Sequence, residues 1–369
     1  MEKVAQIIAE EITSRGAIPF SRFMELALYC PVHGYYEKEQ DIFGGSGDFY
    51  TSVTTGPFFG QLLAFQFCSW LESLPRPPAD ETPIRLVEAG AHDGTLANDI
   101  LSWIREHRPR IWNGLLYTIV EPAVTRRSWQ ESKLDPFRDR LSWVSELPGD
   151  STINGVIFSN ELLDAFPVHR IGWCADEHNW FEWSVRNGPE GFVWCRLPLQ
   201  DQQLVHSVPS EAELLAVLPD GFTIEACPSA ESWWGRAARS LRSGRLLTLD
   251  YGLDQEERLA PERSSGTLRG YSRHRVSSEL LSKPGTQDLT AHLNFTGLQT
   301  AGTAAGLVTE FYGSQSRFLT SILANGFAEH LDASDTRQFH SLTHPDHLGR
   351  SFRVLVQSRS VDQISSCSS

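Results

Sequence analysis

Apolar residues at helical spacing open the chain. Val4, Ile7, Ile8 and Ile12 recur on one face, and Gly16 and Pro19 end the run. Ser21 stands as a cap for a second helix through Met24, Leu26 and Leu28, which stops before Pro31. A third begins at Pro57, a residue suited to a first turn, and carries Phe58, Phe59, Leu62, Leu63, Phe65, Phe67, Trp70 and Leu71. Between the second and third lies Phe43-Gly44-Gly45-Ser46-Gly47-Asp48-Phe49-Tyr50-Thr51-Ser52, whose glycines allow positive φ and close approach to a ligand. The prolines from Pro75 to Pro83 read as a stiff linker.

From residue 84 the period changes. Short apolar runs at 84–88, 116–121, 141–144 and 155–160 alternate with helical segments at 96–106 and 123–132. That alternation predicts a parallel sheet with right-handed crossovers. The texture then shifts to alternating runs at 168–173, 180–185 and 192–194, with Asn187-Gly188 as a hairpin signal, so an antiparallel insertion is expected. Strand–helix alternation resumes at 222–226, 231–242 and 246–252. The stretch 253–290 is polar and irregular and suits a lid or substrate loop, or a plain long connection. Strands at 307–312 and 352–357, with a helix at 315–324, close the pattern before a serine-rich tail at 358–369. The expected organisation is a helical part at 1–83, a first half of an α/β core at 84–165, an insertion at 166–221 and a second half at 222–357.

Composition narrows the partners. The 32 basic and 46 acidic residues leave a net charge of −14, which argues against nucleic acid or an anionic membrane surface and would suit a cationic substrate. Cys30, Cys68, Cys174, Cys195, Cys227 and Cys367 lie far apart with no C-x-x-C pair, so neither a disulfide framework nor a thiolate metal site is expected. His344 and His347 have a spacing seen in metal sites, but no further ligand stands nearby and no metal is assigned. No apolar run approaches a membrane span, and the N-terminus is neither a signal peptide nor an Arg-rich transit peptide, so a cytoplasmic chain is expected.

The candidate chemistry centres on Glu88-Ala89-Gly90-Ala91-His92-Asp93-Gly94-Thr95-Leu96, an acid at a strand end followed by a glycine-bounded turn and a helix start. A dinucleotide loop needs G-x-G-x-x-G, and this one lacks the middle and third glycines. A ligand without phosphates tolerates a side chain there, which points to S-adenosylmethionine. Glu121, ending the next strand, is the second acid of such a site and would accept bonds from both ribose hydroxyls. Farther on, Asn160, Glu161 and Asp164 face the same crevice from a fourth strand end. In methyl transfer the donor is already activated, so the enzyme positions a nucleophile and manages one proton. Carboxylates suit a guanidinium, which stays charged because its pKa is above about 12.

The motifs Gly47-Asp48-Phe49-Tyr50-Thr51-Ser52, Glu88-Ala89-Gly90, Asn160-Glu161-Leu162-Leu163-Asp164-Ala165-Phe166-Pro167, Asp250-Tyr251-Gly252 and Asp288-Leu289-Thr290-Ala291-His292-Leu293-Asn294-Phe295 occur in this order. On them the chain resembles the MidA-like family of class I S-adenosylmethionine-dependent methyltransferases. Mitochondrial members of that family are complex I assembly factors that methylate an arginine of a complex I subunit. The resemblance implies an α/β Rossmann-like, seven-stranded class I sheet with an N-terminal helical part and an inserted antiparallel region. It implies a protein substrate with an exposed arginine, and leaves open a homodimer. Cofactor contacts are expected from Asp48, Thr51, Glu88, Gly90, His92, Asp93, Gly94, Glu121 and Asn160, and acceptor chemistry from Glu161, Asp164 and His292. One departure stands out: the family loop reads Gly-Pro-Gly-Arg-Gly, whereas His92 and Asp93 replace its glycine and arginine here. Two alternatives stay open, a small-molecule O- or N-methyltransferase and a non-catalytic assembly factor that keeps the fold.

Overall fold

A computed structural model describes residues 3–38, 51–74, 83–272, 275–331, 334–345, 348–349 and 351–359, apart from the His330 side chain. The chain divides into two compact units, each built from three separate segments. The first comprises Met1–Phe49, Leu163–Glu231 and Gly252–Thr296; the second comprises Tyr50–Leu162, Ser232–Tyr251 and Gly297–Ser369. Among the described residues no helix is long and apolar enough to cross a membrane.

The second unit is organised by seven strands: β1 (Ile84–Ala89), β2 (Leu115–Val120), β3 (Leu141–Val144), β4 (Ile153–Asn160), β5 (Leu241–Leu253), β6 (Val308–Ser314) and β7 (Phe352–Arg359). Their spatial order is β6-β7-β5-β4-β1-β2-β3. The five strands from β5 to β3 pair in parallel, and β7 runs antiparallel between β5 and β6. Their middles are near-continuous apolar runs because helices cover the sheet. Leu86, Ile119, Phe158, Leu247, Leu249 and Val354 are buried in one core with Phe58, Leu62 and Phe67 of the Phe58–Glu72 helix and Ile100 and Ile104 of the Thr95–His107 helix. Each such side chain contributes about 1.5–3 kcal/mol on burial. The reversal of strand order lies between β1 and β4, the place where open α/β sheets bind ligands.

The first unit joins the helices Lys3–Arg15 and Phe20–Tyr29 to a five-stranded antiparallel sheet of Ile18–Pro19, His169–Cys174, Asn179–Gly188, Gly191–Pro198 and Thr223–Ala226. Val4, Ile8, Ile12, Phe20, Phe23 and Leu28 bury one helical face against Val168 and Val185. Ser21 does not cap the second helix: the cap position falls on Pro19 without a side-chain bond, and the Ser21 hydroxyl lies 3.4 Å from His169 Nδ1. The expected hairpin is present with its turn displaced. Asn187 and Gly188 are still strand residues paired with Phe192 and Gly191, so the turn itself is Pro189-Glu190.

The stretch after β5 is more ordered than its composition implies. A capping box between Asp254 and Glu257 starts the short Gln255–Arg258 helix. Arg269–Ser272, Arg275–Ser277 and Asp288–Thr290 then form a three-stranded antiparallel sheet. A polar stretch is sheet and helix here because a local cap and backbone strand pairing, which apolar periodicity does not report, supply its hydrogen bonds.

Candidate active site

The turn after β1 is built by backbone conformation. Gly90 and Gly94 have φ of +76° and +85°, and Gly94 is the residue preceding the Thr95–His107 helix. A Cβ on Gly90 would lie 2.8 Å from Leu162 Cδ1, so any larger residue is both strained and crowded. His92, where the resembled family has glycine, takes φ of +47°. A non-glycine residue there costs of order 1–3 kcal/mol and persists only where its surroundings hold it. Here Gln130 Nε2 donates to the His92 carbonyl at 2.8 Å.

Asp93 turns its charge on the helix start. Its carboxylate accepts from the Thr95 N–H and hydroxyl, both at 2.9 Å, and from Lys133. Burial pushes the Asp93 carboxyl up, but the bonds from His92, Lys133 and Thr95 outweigh it and hold the group well below the usual carboxylate range. A carboxylate thus already occupies the electropositive helix N-terminus. That explains why this loop does not suit a pyrophosphate.

Two buried acids flank the turn on neighbouring strands. Glu88 in β1 accepts a 2.7 Å bond from the Tyr117 hydroxyl of β2, and burial pushes its carboxyl up to about 7 against that bond. Glu121, just past β2, accepts from the Ala123 N–H at 2.9 Å, Arg126 Nε at 3.1 Å and Gln130 Nε2 at 3.2 Å. A carboxylate offers about four acceptor directions, so one remains. Gln130 is a further member of this cluster that the sequence pattern does not single out. It is fully buried and ties the His92 carbonyl, Glu121 and the Trp143 indole N–H together. Gln130 is the one buried residue of the otherwise polar Val124–Lys133 helix, so no apolar period marks its face in the sequence.

The end of β4 carries a third cluster. The Glu161 N–H donates to the Leu249 carbonyl of β5 at 3.0 Å, and Glu161 itself takes φ of +49°. Asn160 Nδ2 donates to Glu161 Oε1 at 3.1 Å, and the Ser52 backbone also bonds the carboxyl. Burial, and then the charge of Asp250 at the end of β5, push Glu161 up to about 8. Among the described residues the buried Asn160 Oδ1 has no hydrogen-bond partner. Thr51 is occupied locally, exchanging bonds with Thr54 in both directions, while the Ser52 hydroxyl reaches Gln315 Oε1 at 3.2 Å. Ser52 and Asp250 belonged to motifs visible in the sequence, yet neither had been given a role.

The remaining candidates lie in the first unit. Asp164 is buried, and its carbonyl accepts the Ala291 N–H at 3.1 Å, which brings the Asn160–Pro167 motif against the Asp288–Phe295 motif. The Tyr36 hydroxyl donates to Asp288 Oδ1 at 2.8 Å, and burial followed by the Asp288 charge hold that phenol well above its ordinary value. The His292 N–H donates to Thr267 Oγ1 at 3.0 Å, and Thr267 in turn donates through its N–H and hydroxyl to Glu225 Oε2 at 2.8 and 3.0 Å. Glu225 also pairs with Arg170 at 3.3 Å. Of the three expected acceptor residues, Glu161 belongs to the second unit and Asp164 and His292 to the first. Asp48, Asp346 and His347 lie outside the described residues.

Comparison with known proteins follows this geometry. A family model described as "Putative S-adenosyl-L-methionine-dependent methyltransferase" matches residues 62–313. The mitochondrial protein arginine methyltransferase NDUFAF7 homolog of Drosophila melanogaster is 24% identical, over 96% of this chain and 84% of its own length. The mitochondrial protein arginine methyltransferase NDUFAF7 of Xenopus laevis is 27% identical, over 93% of this chain and 81% of its own. Among solved structures, a COG1565 superfamily member from Burkholderia thailandensis bound to S-adenosyl-homocysteine superposes with a TM-score of 0.84 at 29% identity. That match covers 98% of this chain and 93% of that one. The mitochondrial relatives overturn the cytoplasmic placement drawn from the first few residues. Compartment is set by a receptor-read address, which composition near one end does not report.

Proposed function

This chain belongs to the S-adenosyl-L-methionine-dependent methyltransferase family whose model matches residues 62–313, and on that premise we propose that it methylates an arginine side chain of a protein. Its residues fit the methyl donor. The turn from Gly90 to Gly94 has glycine only at its two ends and leads into a helix start already neutralised by Asp93, which suits a ligand without phosphates. Glu121 keeps one acceptor direction for a ribose hydroxyl, and the partnerless Asn160 Oδ1 can accept from an amino group. Thr51 and Glu88 act more remotely on this reading, through the turn before the Phe58–Glu72 helix and the Tyr117 bond.

Bound S-adenosylmethionine supplies a methyl group already activated for transfer. What the chain adds is orientation and proton management. Glu161 would accept guanidinium N–H bonds and so orient one nitrogen for methylation, and its carboxylate would take the proton which that nitrogen releases. The observation that carries this reading is Glu161 itself, a carboxyl fixed at a sheet switch point in a strained conformation by Asn160, Ser52 and the Leu249 carbonyl. The protein-arginine methyltransferase names of the relatives support the choice of acceptor.

The test is incubation of the full chain with labelled methyl donor and a mitochondrial lysate. Label recovered as methylated arginine in protein supports the proposal; label confined to small solutes replaces it with a small-molecule methyltransferase. Glu161→Gln is expected to keep donor binding by calorimetry and to lower turnover at least about 100-fold, near the loss of one well-placed polar contact in a transition state. The opposite pattern, lost binding with retained turnover, overturns the assignment.

A further inference from the structure

The pair formed by Glu161 and Asp250 has a consequence for how a cation would enter. β4 and β5 run parallel with Ser159 opposite Thr248 and Asn160 opposite Leu249. The Glu161 N–H to Leu249 carbonyl bond extends that register by one residue, so Glu161 and Asp250 end adjacent strands side by side. Asp250 is fully buried and its carboxylate accepts the N–H of Tyr251 at 2.8 Å. On its other flank β7 sets Arg353 opposite Asp250 in register, and directly opposed residues of an antiparallel pair share a face.

Two neighbouring carboxyls in a low-dielectric place do not both ionise readily. Which one keeps the proton depends on their other neighbours. Asp250 accepts a backbone N–H on its own carboxylate and lies opposite Arg353 in register, and its charge is the second cause, after burial, that raises the Glu161 carboxyl. Around Glu161 the described neighbours are the amide of Asn160 on its own strand, the Ser52 backbone from the turn before Val53–Thr55, and Asp250 from β5. Of these, Asp250 is the one that raises the Glu161 carboxyl through its charge, while the Asn160 and Ser52 bonds lower it.

We propose that Asp250 is a positioning residue for Glu161: its buried charge keeps the acceptor carboxyl protonated until a cation arrives, so that binding of one guanidinium drives one proton out to solvent. The inference rests on Glu161 being the acceptor carboxylate. The O–H bond of Glu161 breaks, its proton goes to water, and the guanidinium N–H groups take its place, so charge in the site is unchanged. Entry of a neutral acceptor gains nothing from this exchange, which makes the pair selective for permanently charged nitrogen groups over amides or hydroxyls. The direction agrees with Glu161 titrating near 8 and not in the ordinary carboxylate range.

Infrared titration of the full-length protein with S-adenosyl-homocysteine bound reads this directly. A protonated-carboxyl band is expected at pH 7, absent in Glu161→Gln, with a midpoint near 8 in the unaltered chain. Asp250→Asn should move that midpoint down by at least about one unit, a tenfold change in proton affinity. Arg353→Gln should move it up, and this second variant stands if Asp250→Asn fails to fold. Guanidinium chloride at millimolar concentration should remove the band at pH 7 in the unaltered chain. A missing band at pH 7, a midpoint indifferent to both variants, or a band unmoved by guanidinium overturns the proposal. Arginine labelling in lysate with no such band sinks this inference alone. A band behaving as stated, with no arginine labelled, removes the protein-arginine reading and leaves the proton-coupled pair in place.

Discussion

The two units of this chain hold their polar residues in different ways. In the second, the groups around the 90–94 turn are placed mostly by backbone: positive φ at Gly90, His92, Gly94 and Glu161, strand ends in parallel register, and carbonyls such as those of His92 and Leu249 accepting fixed bonds. In the first, Glu225, Thr267, Arg170, Tyr36 and Asp288 come from segments far apart in sequence and are knitted by side-chain bonds. Backbone-built sites are expected to tolerate changes in side-chain chemistry better than changes in shape. A network of buried side chains behaves oppositely, because deleting one member strands the others without partners.

That contrast can be broken by experiment. The largest expected effect is on the network: Glu225→Ala leaves Arg170 and Thr267 without their carboxylate and should cost about 3–5 kcal/mol, read as a lowered unfolding midpoint. Donor binding in the folded fraction should stay within about threefold, on the order of 0.7 kcal/mol. Equal losses of both would erase the distinction between the units. Next, Gly90→Val places a branched side chain at φ of +76° and against Leu162, and should weaken donor affinity at least about 100-fold, or 2.7 kcal/mol. An unchanged thermal shift with S-adenosyl-homocysteine would show that the turn is not shape-limited.

The smallest effect concerns Glu88. Its folded carboxyl is raised to about 7, so the folded state binds the proton more tightly than the unfolded chain does, whose reference is about 4.3. The stability this brings is complete below pH of about 4.3 and is lost as pH rises through about 7. Glu88→Gln should therefore flatten the fall of the unfolding midpoint between about pH 5 and 7, by the equivalent of about 1–2 kcal/mol. A slope as steep as that of the unaltered chain would mean that Glu88 is not the group that titrates.

Much of the second unit was legible in one dimension because its determinants are local. Parallel strands buried on both faces show as apolar runs, and the acid–glycine grammar of Glu88–Gly94 lies within seven consecutive residues. Gln130 escaped notice because a buried amide on an otherwise polar helix has no period to betray it. The hairpin turn was misplaced because Asn187-Gly188 fits a two-residue turn, while the pairing of Gly188 with Gly191 sets Pro189-Glu190 there instead. In the 253–290 stretch some polar groups are used locally, as with Gln287 Nε2 donating to the carbonyls of Glu279, Leu280 and Ser282, and such bonds leave no period in the sequence.

By itself the amino-acid order determined the α/β class, the strand–helix alternation, the antiparallel insertion and a cofactor turn that counts against a pyrophosphate. Each of those depends on periodicity or on residues adjacent along the chain. The same order set 222–226 in the α/β core, whereas the structure pairs Thr223–Ala226 with His169–Cys174 in the antiparallel sheet. Only the tertiary structure decided that Ser52 and Asp250 meet Glu161, that Gln130 joins the His92 carbonyl to Glu121, and that Asp164 and His292 belong with Glu225 and Tyr36 in a unit separate from Glu161. The physical reason is distance along the chain. Burial and charge act through space, so the proton held by Glu161 depends on a residue 89 positions away, brought alongside by strand register.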